Sequence, residues 1–234
     1  MVFVCVAGAV WFLTMRRSSS VISPVAQLLE KPLDKYAIER LSQRPPAGGP
    51  IVLDEATATT SAYTVYTFHF TTSGKKVTGL VHIPRGNGPF PVIVQYRGYI
   101  DREKYTTGDG TRRSAEVFAR NRFISVAPDF LGYGGSDMPA NDIFEERFQT
   151  YTTALDILAA IPSLPRADPT RIGIWGHSNG GQIALTVLEA SAKPFPTTLW
   201  APVTKPFPYS ILFYTDEATD RGKLIRKRLA KFEE

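Results

Sequence analysis

The sequence predicts an α/β fold: a mostly parallel sheet with helices on both faces, led by an antiparallel hairpin. Three observations predict it. Short apolar runs alternate with helical patterns from residue 91 onward. Before them, Tyr63 to Thr72 and Val77 to Pro84 are rich in aromatic and β-branched residues and are joined by Ser73-Gly74-Lys75-Lys76. Finally, the apolar run Ile172-Gly173-Ile174-Trp175 ends in Gly176-His177-Ser178-Asn179-Gly180. An apolar stripe at helical spacing follows directly: Ile183, Ala184, Val187 and Leu188.

Taken in order, residues 1–15 are almost wholly apolar and are followed by Arg16-Arg17. A spanning helix needs about 20 apolar residues, and no basic residues precede the run. A membrane anchor starting upstream, a degenerate signal peptide and a buried N-terminal helix all fit. The anchor or uncleaved signal is preferred, which makes the protein membrane-associated and leaves the side of the membrane open. Residues 1–17 thus form a hydrophobic N-terminal segment. Residues 18–62 read as a linker with one short helix on the face of Leu33, Tyr36, Ala37 and Leu41, broken by Arg44-Pro45-Pro46-Ala47-Gly48-Gly49-Pro50. Residues 63–234 form the α/β domain. Within it Pro91 to Tyr96, Phe123 to Ala127, the run before Ser178, and Thr198 to Trp200 read as strands. Arg112 to Arg122 and a segment carrying Phe148, Tyr151, Leu155 and Leu158 read as helices, the second stopping near Pro162.

Bulk composition removes several function classes. The net charge of +5 is a mild basic excess concentrated at the two ends. No nucleic-acid motif accompanies it, so no nucleic-acid partner is expected. The basic tail carries Leu224, Ile225, Leu229 and Phe232, and reads as the solvated face of an amphipathic helix. One cysteine, Cys5, permits neither an internal disulfide nor a cysteine zinc site. The three histidines, His69, His82 and His177, are too few for a histidine-rich metal site. A second glycine cluster, Leu131-Gly132-Tyr133-Gly134-Gly135-Ser136-Asp137, places Asp where a dinucleotide fingerprint needs its third glycine. It reads as a turn after a strand that lines the site. No cofactor and no metal are expected.

The Gly-x-Ser-x-Gly run carries the chemistry. A serine hydroxyl is a poor nucleophile at neutral pH and must be presented to an acceptor. A sharp strand-to-helix turn does so, and Gly176 and Gly180 fit where side chains would clash. The backbone N–H of Asn179 then opens the following helix, where an oxyanion is favoured.

These segments resemble the catalytic domain of the prolyl oligopeptidase (S9) branch of the α/β hydrolases. The resemblance rests on Asp168 to Gly181, on Pro91-Val92-Ile93-Val94-Gln95-Tyr96-Arg97-Gly98-Tyr99, and on Phe123 to Gly134, and covers about residues 63–215 in the expected order. It implies an α/β-hydrolase fold, Ser178 as catalytic nucleophile, and an oxyanion hole of the Asn179 and Tyr99 backbone N–H groups. It also implies a small-molecule or peptide substrate cleaved through an acyl-enzyme. The family's acid and histidine follow the nucleophile, but no histidine follows Ser178 here. The triad acid and histidine are therefore not present, and the chain reads as C-terminally incomplete. A serine peptidase or esterase is the first expectation. A catalytically inactive fragment or membrane-tethered binding remnant is the alternative.

Overall fold

The computed structural model describes residues 32–205 and 223–229. The N-terminal segment 1–17 and its anchor reading lie outside the described residues. Two compact units divide the chain, Met1–Asp34 and Lys35–Glu234, and every strand and α-helix named below belongs to the second. No helix among the described residues is long and apolar enough to cross a membrane.

The strands are β1 (Val52–Thr59), β2 (Tyr63–Thr72), β3 (Lys75–Pro84), β4 (Phe90–Tyr96), β5 (Ile124–Pro128), β6 (Ala167–His177) and β7 (Thr197–Trp200). The helices are α1 (Ile38–Gln43), α2 (Arg112–Arg120), α3 (Ile143–Ala160), α4 (Asn179–Ser191) and α5 (Lys223–Leu229). One sheet takes all seven strands in the order β1-β2-β3-β5-β4-β6-β7. Pairing is antiparallel from β1 through β3 to β5 and parallel from β5 through β4 and β6 to β7.

The leading hairpin is thus the inner part of a three-stranded meander, because β1 pairs with β2. Residues 52–59 are strand and not linker. Seven of the eight β1 side chains are exposed, so the strand carries no alternation of apolar and polar positions. Its backbone pairing, which leaves no mark on the sequence, makes it a strand. The tight turn Ser73-Gly74 gives β2 and β3 an unbroken register from Tyr63↔Pro84 to Thr72↔Lys75.

Alternation along β2 and β3 separates two apolar layers. Phe68, Phe70, Val81 and Ile83 point into the main core with Val92, Val94 and Ile174, against Ile157 of α3 and Ile183 and Val187 of α4. Tyr63, Val65 and Leu80 face the other way and meet Ala119 of α2. Helices therefore cover both faces. Asp142 caps α3, accepting from the Phe144 and Glu145 N–H groups at 2.9 and 3.1 Å.

The path of the chain fixes where a site forms. From β4 it crosses to β5 on one side; from β5 it returns past β4 to β6 on the other. Such a reversal opens a crevice at the carboxyl ends of the flanking strands. Here those ends are Tyr96, leading into Arg97-Gly98-Tyr99, and His177, leading into Ser178.

Candidate active site

Ser178 sits between β6 and α4 with φ 53° and ψ −117°. An L-residue with a side chain rarely adopts this conformation, which costs about 1–3 kcal/mol and persists only where its surroundings enforce it. Here they do. Ser178 N–H donates to Trp200 O at 3.0 Å, and Ser178 O accepts from Gly181 N–H and Val203 N–H at 2.9 Å each. Both backbone polar groups of the serine are thus fixed by β7, the segment after it, and the first turn of α4.

The expected elbow glycines are where they are needed. A Cβ at Gly176 would lie 2.7 Å from Gly180 O, and one at Gly180 would lie 1.8 Å from Tyr96 O. Gly181 contributes as well: a Cβ there would meet Pro202 at 2.5 Å. The backbone of β4 and that of the elbow therefore touch with no room for a side chain between them.

Asn179 is the first residue of α4, so its N–H has no acceptor within the helix. Its side chain is occupied, since Asn179 Oδ1 accepts from Arg147 Nη1 at 2.6 Å. Arg147 also donates to Gln182 Oε1 and to Tyr151 Oη, tying α3 to the first turn of α4. The Gly98–Tyr99 loop lies against the elbow: a Cβ at Gly98 would be 3.2 Å from Ser178 Cβ. The Tyr99 side chain is exposed.

Beside the elbow is a cavity of about 200 Å³ whose lining includes Tyr99, Phe130, Tyr133, Ile143, Arg147 and Asn179. The Leu131–Asp137 turn contributes Leu131 and Tyr133 to it, as its position after a strand implies.

None of the three histidines is hydrogen-bonded to Ser178. His69 pairs with Asp54 at 2.8 Å across β1 and β2. His82 is buried in β3 with no partner for Nδ1 among the described residues. Burial, reinforced by the Arg112 charge, holds its pKa down to about 4, so it is neutral at pH 7. His177 lies beside Gly98, its Nδ1 3.1 Å from where a Cβ would stand there.

Two groups near the site escape a reading of the sequence alone. Arg97 is buried, its guanidinium carbon 4.3 and 4.0 Å from the ring centroids of Tyr105 and Tyr133, which themselves meet edge to face. Asp129 is fully buried and accepts from the Thr78, Tyr105 and Thr107 hydroxyls. A charged residue just past an apolar strand was the only local signal for either.

A strained serine in a glycine-walled bend, over the crossover point of a seven-stranded sheet, decides the architecture. The chain has the α/β-hydrolase fold. A family model described as "alpha/beta hydrolase fold" matches residues 104–196. Esterase FrsA of Escherichia fergusonii is 27% identical over 115 residues, 48% of this chain and 25% of that protein. Esterase FrsA of Salmonella newport is 28% identical over 124 residues, 50% of this chain and 27% of that protein. The match thus spans about a quarter of the length of these curated relatives. Among solved structures, acetyl xylan esterase 1 from a Thermoanaerobacterium species superposes with TM-score 0.59 at 19% identity, covering 84% of this chain and 66% of that one. An acetyl xylan esterase from Paenibacillus sp. R4 gives TM-score 0.56 at 20% identity, covering 81% and 64%. At these identities the structural likeness concerns the fold.

Proposed function

We propose that this α/β hydrolase is a serine esterase whose nucleophile is Ser178. The observation that carries the reading is the backbone of Ser178, held in a left-handed bend at the carboxyl end of β6. In the proposed reaction Ser178 Oγ attacks an ester carbonyl. The carbonyl oxygen becomes an oxyanion held by the Asn179 and Tyr99 backbone N–H groups. The Oγ–carbon bond forms, the carbon–alkoxy bond breaks, and the Oγ proton passes by way of a base to the departing alkoxide. Water then releases the acid from the acyl-enzyme.

The S9 resemblance favours peptides, but two observations favour esters. The curated relatives are named esterases. The cavity beside Asn179, at about 200 Å³, is smaller than the roughly 300–1,000 Å³ of pockets that take drug-sized ligands. It suits a short acyl group better than a peptide side chain with its flanking backbone. We assign none of the three imidazoles of this sequence as the base, because each is engaged elsewhere or lacks a bond to Ser178. Membrane attachment through residues 1–15 belongs to the proposal too.

The missing imidazole equally favours a second reading, a binding remnant without turnover. Hydrolysis of p-nitrophenyl acetate by wild type and by Ser178→Ala, each with and without added imidazole, separates the two. An oxyanion hole alone leaves about 10³–10⁴-fold catalysis over water. That residue of activity survives loss of the serine as well, so the esterase reading predicts similar rates without imidazole and a wild-type rate that rises above Ser178→Ala as imidazole replaces the base. Equal rates at every imidazole concentration leave the binding remnant.

A further inference from the structure

Resting on the assignment of the Tyr99 N–H to the oxyanion site, we propose that Arg97 is a positioning residue that orients the Gly98–Tyr99 peptide and so aims that N–H at Ser178. Arg97 donates from Nη1 to Gly98 O at 2.9 Å and from Nη2 to Asp129 O at 3.1 Å. In a trans peptide the carbonyl and the following N–H point in opposite directions. A Gly98 carbonyl drawn inward by the guanidinium therefore turns the Tyr99 N–H outward. Gly98 abuts the elbow, only 3.2 Å separating its hypothetical Cβ from Ser178 Cβ. Glycine imposes little preference of its own on the peptide that follows, so the orientation must come from a neighbour. Arg97 supplies it.

Arg97 is in turn held rigidly. It is 5% exposed. The Tyr105 and Tyr133 rings, set edge to face, both pack against its guanidinium, and the Tyr105 hydroxyl donates to Asp129 Oδ1 at 2.6 Å. Asp129 Oδ2 accepts from Thr78 and Thr107 at 2.6 and 2.9 Å. Arg97 itself has no carboxylate partner among the described residues, and its Nε is unpaired. Burying a cation without an ion pair is costly, and a space-filling role would need no charge. What the charge provides is two directed bonds to main-chain carbonyls, one of them beside the nucleophile.

Crystal structures and p-nitrophenyl acetate kinetics in imidazole buffer of Arg97→Met and Arg97→Lys, with melting temperatures as a folding check, test this. Loss of one oxyanion donor costs about 10²–10³ in turnover, so Arg97→Met should lower kcat about 10²-fold with KM within about threefold, and its Gly98–Tyr99 peptide should leave the wild-type orientation. Lysine offers one directed bond in place of two, so Arg97→Lys should keep the ammonium on Gly98 O, keep the peptide, and recover about tenfold of the loss. A raised KM with kcat preserved overturns the proposal. So does a folded variant of either kind in which the bond to Gly98 O is gone while the peptide is unmoved. If Arg97→Met does not fold, the Arg97→Lys structure decides on the same criterion. Ser178→Ala, assayed in imidazole, keeps the two readings apart. Turnover that imidazole raises no more in wild type than in Ser178→Ala defeats the esterase reading, whereas the peptide orientation still decides the role of Arg97.

Discussion

Gly180 packs so tightly on the carbonyl of Tyr96 that a Cβ would stand 1.8 Å from that oxygen. Neither side can yield, because both are backbone of adjoining elements. Gly180→Ala should therefore lower stability by about 3 kcal/mol or more, read as a shift of the urea midpoint. Gly74→Ala is the contrast. Its site is open, with nothing within 4 Å and only φ +77° against it, so the loss should be about 1 kcal/mol. The need for Gly176 and Gly180 was legible in the sequence because an elbow is local: three residues decide it. His82 was legible only as a strand residue. The alternation of β3 places it on one face, but does not reveal that Nδ1 finds no partner there. Its titration gives a pH signature. Unfolded, the imidazole titrates near 6.5, and folded near 4. Between those values the unfolded chain binds the extra proton, so stability falls as pH drops from 6.5 toward 4 and is fully present above 6.5. The loss should be about 3 kcal/mol by about pH 4, and His82→Phe should flatten that part of a melting-temperature profile.

Among the elements, the loop that breaks the chain at residues 44–50 is pinned to α3. Arg44 forms a two-pronged pair with the fully buried Asp156, at 2.7 and 2.9 Å. Thr72 Oγ1 and Ala47 N–H donate to the same carboxylate at 2.6 and 3.0 Å. Asp156→Ala should destabilise by about 3–5 kcal/mol in a denaturant titration, because it strands a guanidinium and two further donors. A change below about 1 kcal/mol would mean that water replaces the carboxylate there. The sequence marked this segment as a breaker through its prolines and glycines. It could not show that the breaker is fastened, since Asp156 lies 112 positions away from Arg44. β1 was missed for a related reason. All its side chains but that of Leu53 are exposed, so its pairing is a property of the backbone. The apolar strands and the amphipathic helices were legible because burial dictates their residue periods.

For the molecule as a whole, the site depends on topology. Residues 97–99 and residues 176–180 meet because β4 and β6 are parallel neighbours whose carboxyl ends flank the crossover. The order of strands and helices implied that meeting, and the resemblance to a hydrolase domain sharpened it. The roles of Arg97 and Asp129 stayed hidden, since Arg97 depends on Tyr105 and Tyr133 and Asp129 on Thr78, Tyr105 and Thr107, none of them its neighbour in sequence. The central claim is that this architecture presents Ser178 as a nucleophile. Its most direct test is covalent capture with a fluorophosphonate in imidazole buffer, followed by peptide mass mapping. The account predicts one adduct on Ser178 that is absent from Ser178→Ala. An unmodified Ser178, or an adduct that survives the substitution, would contradict it.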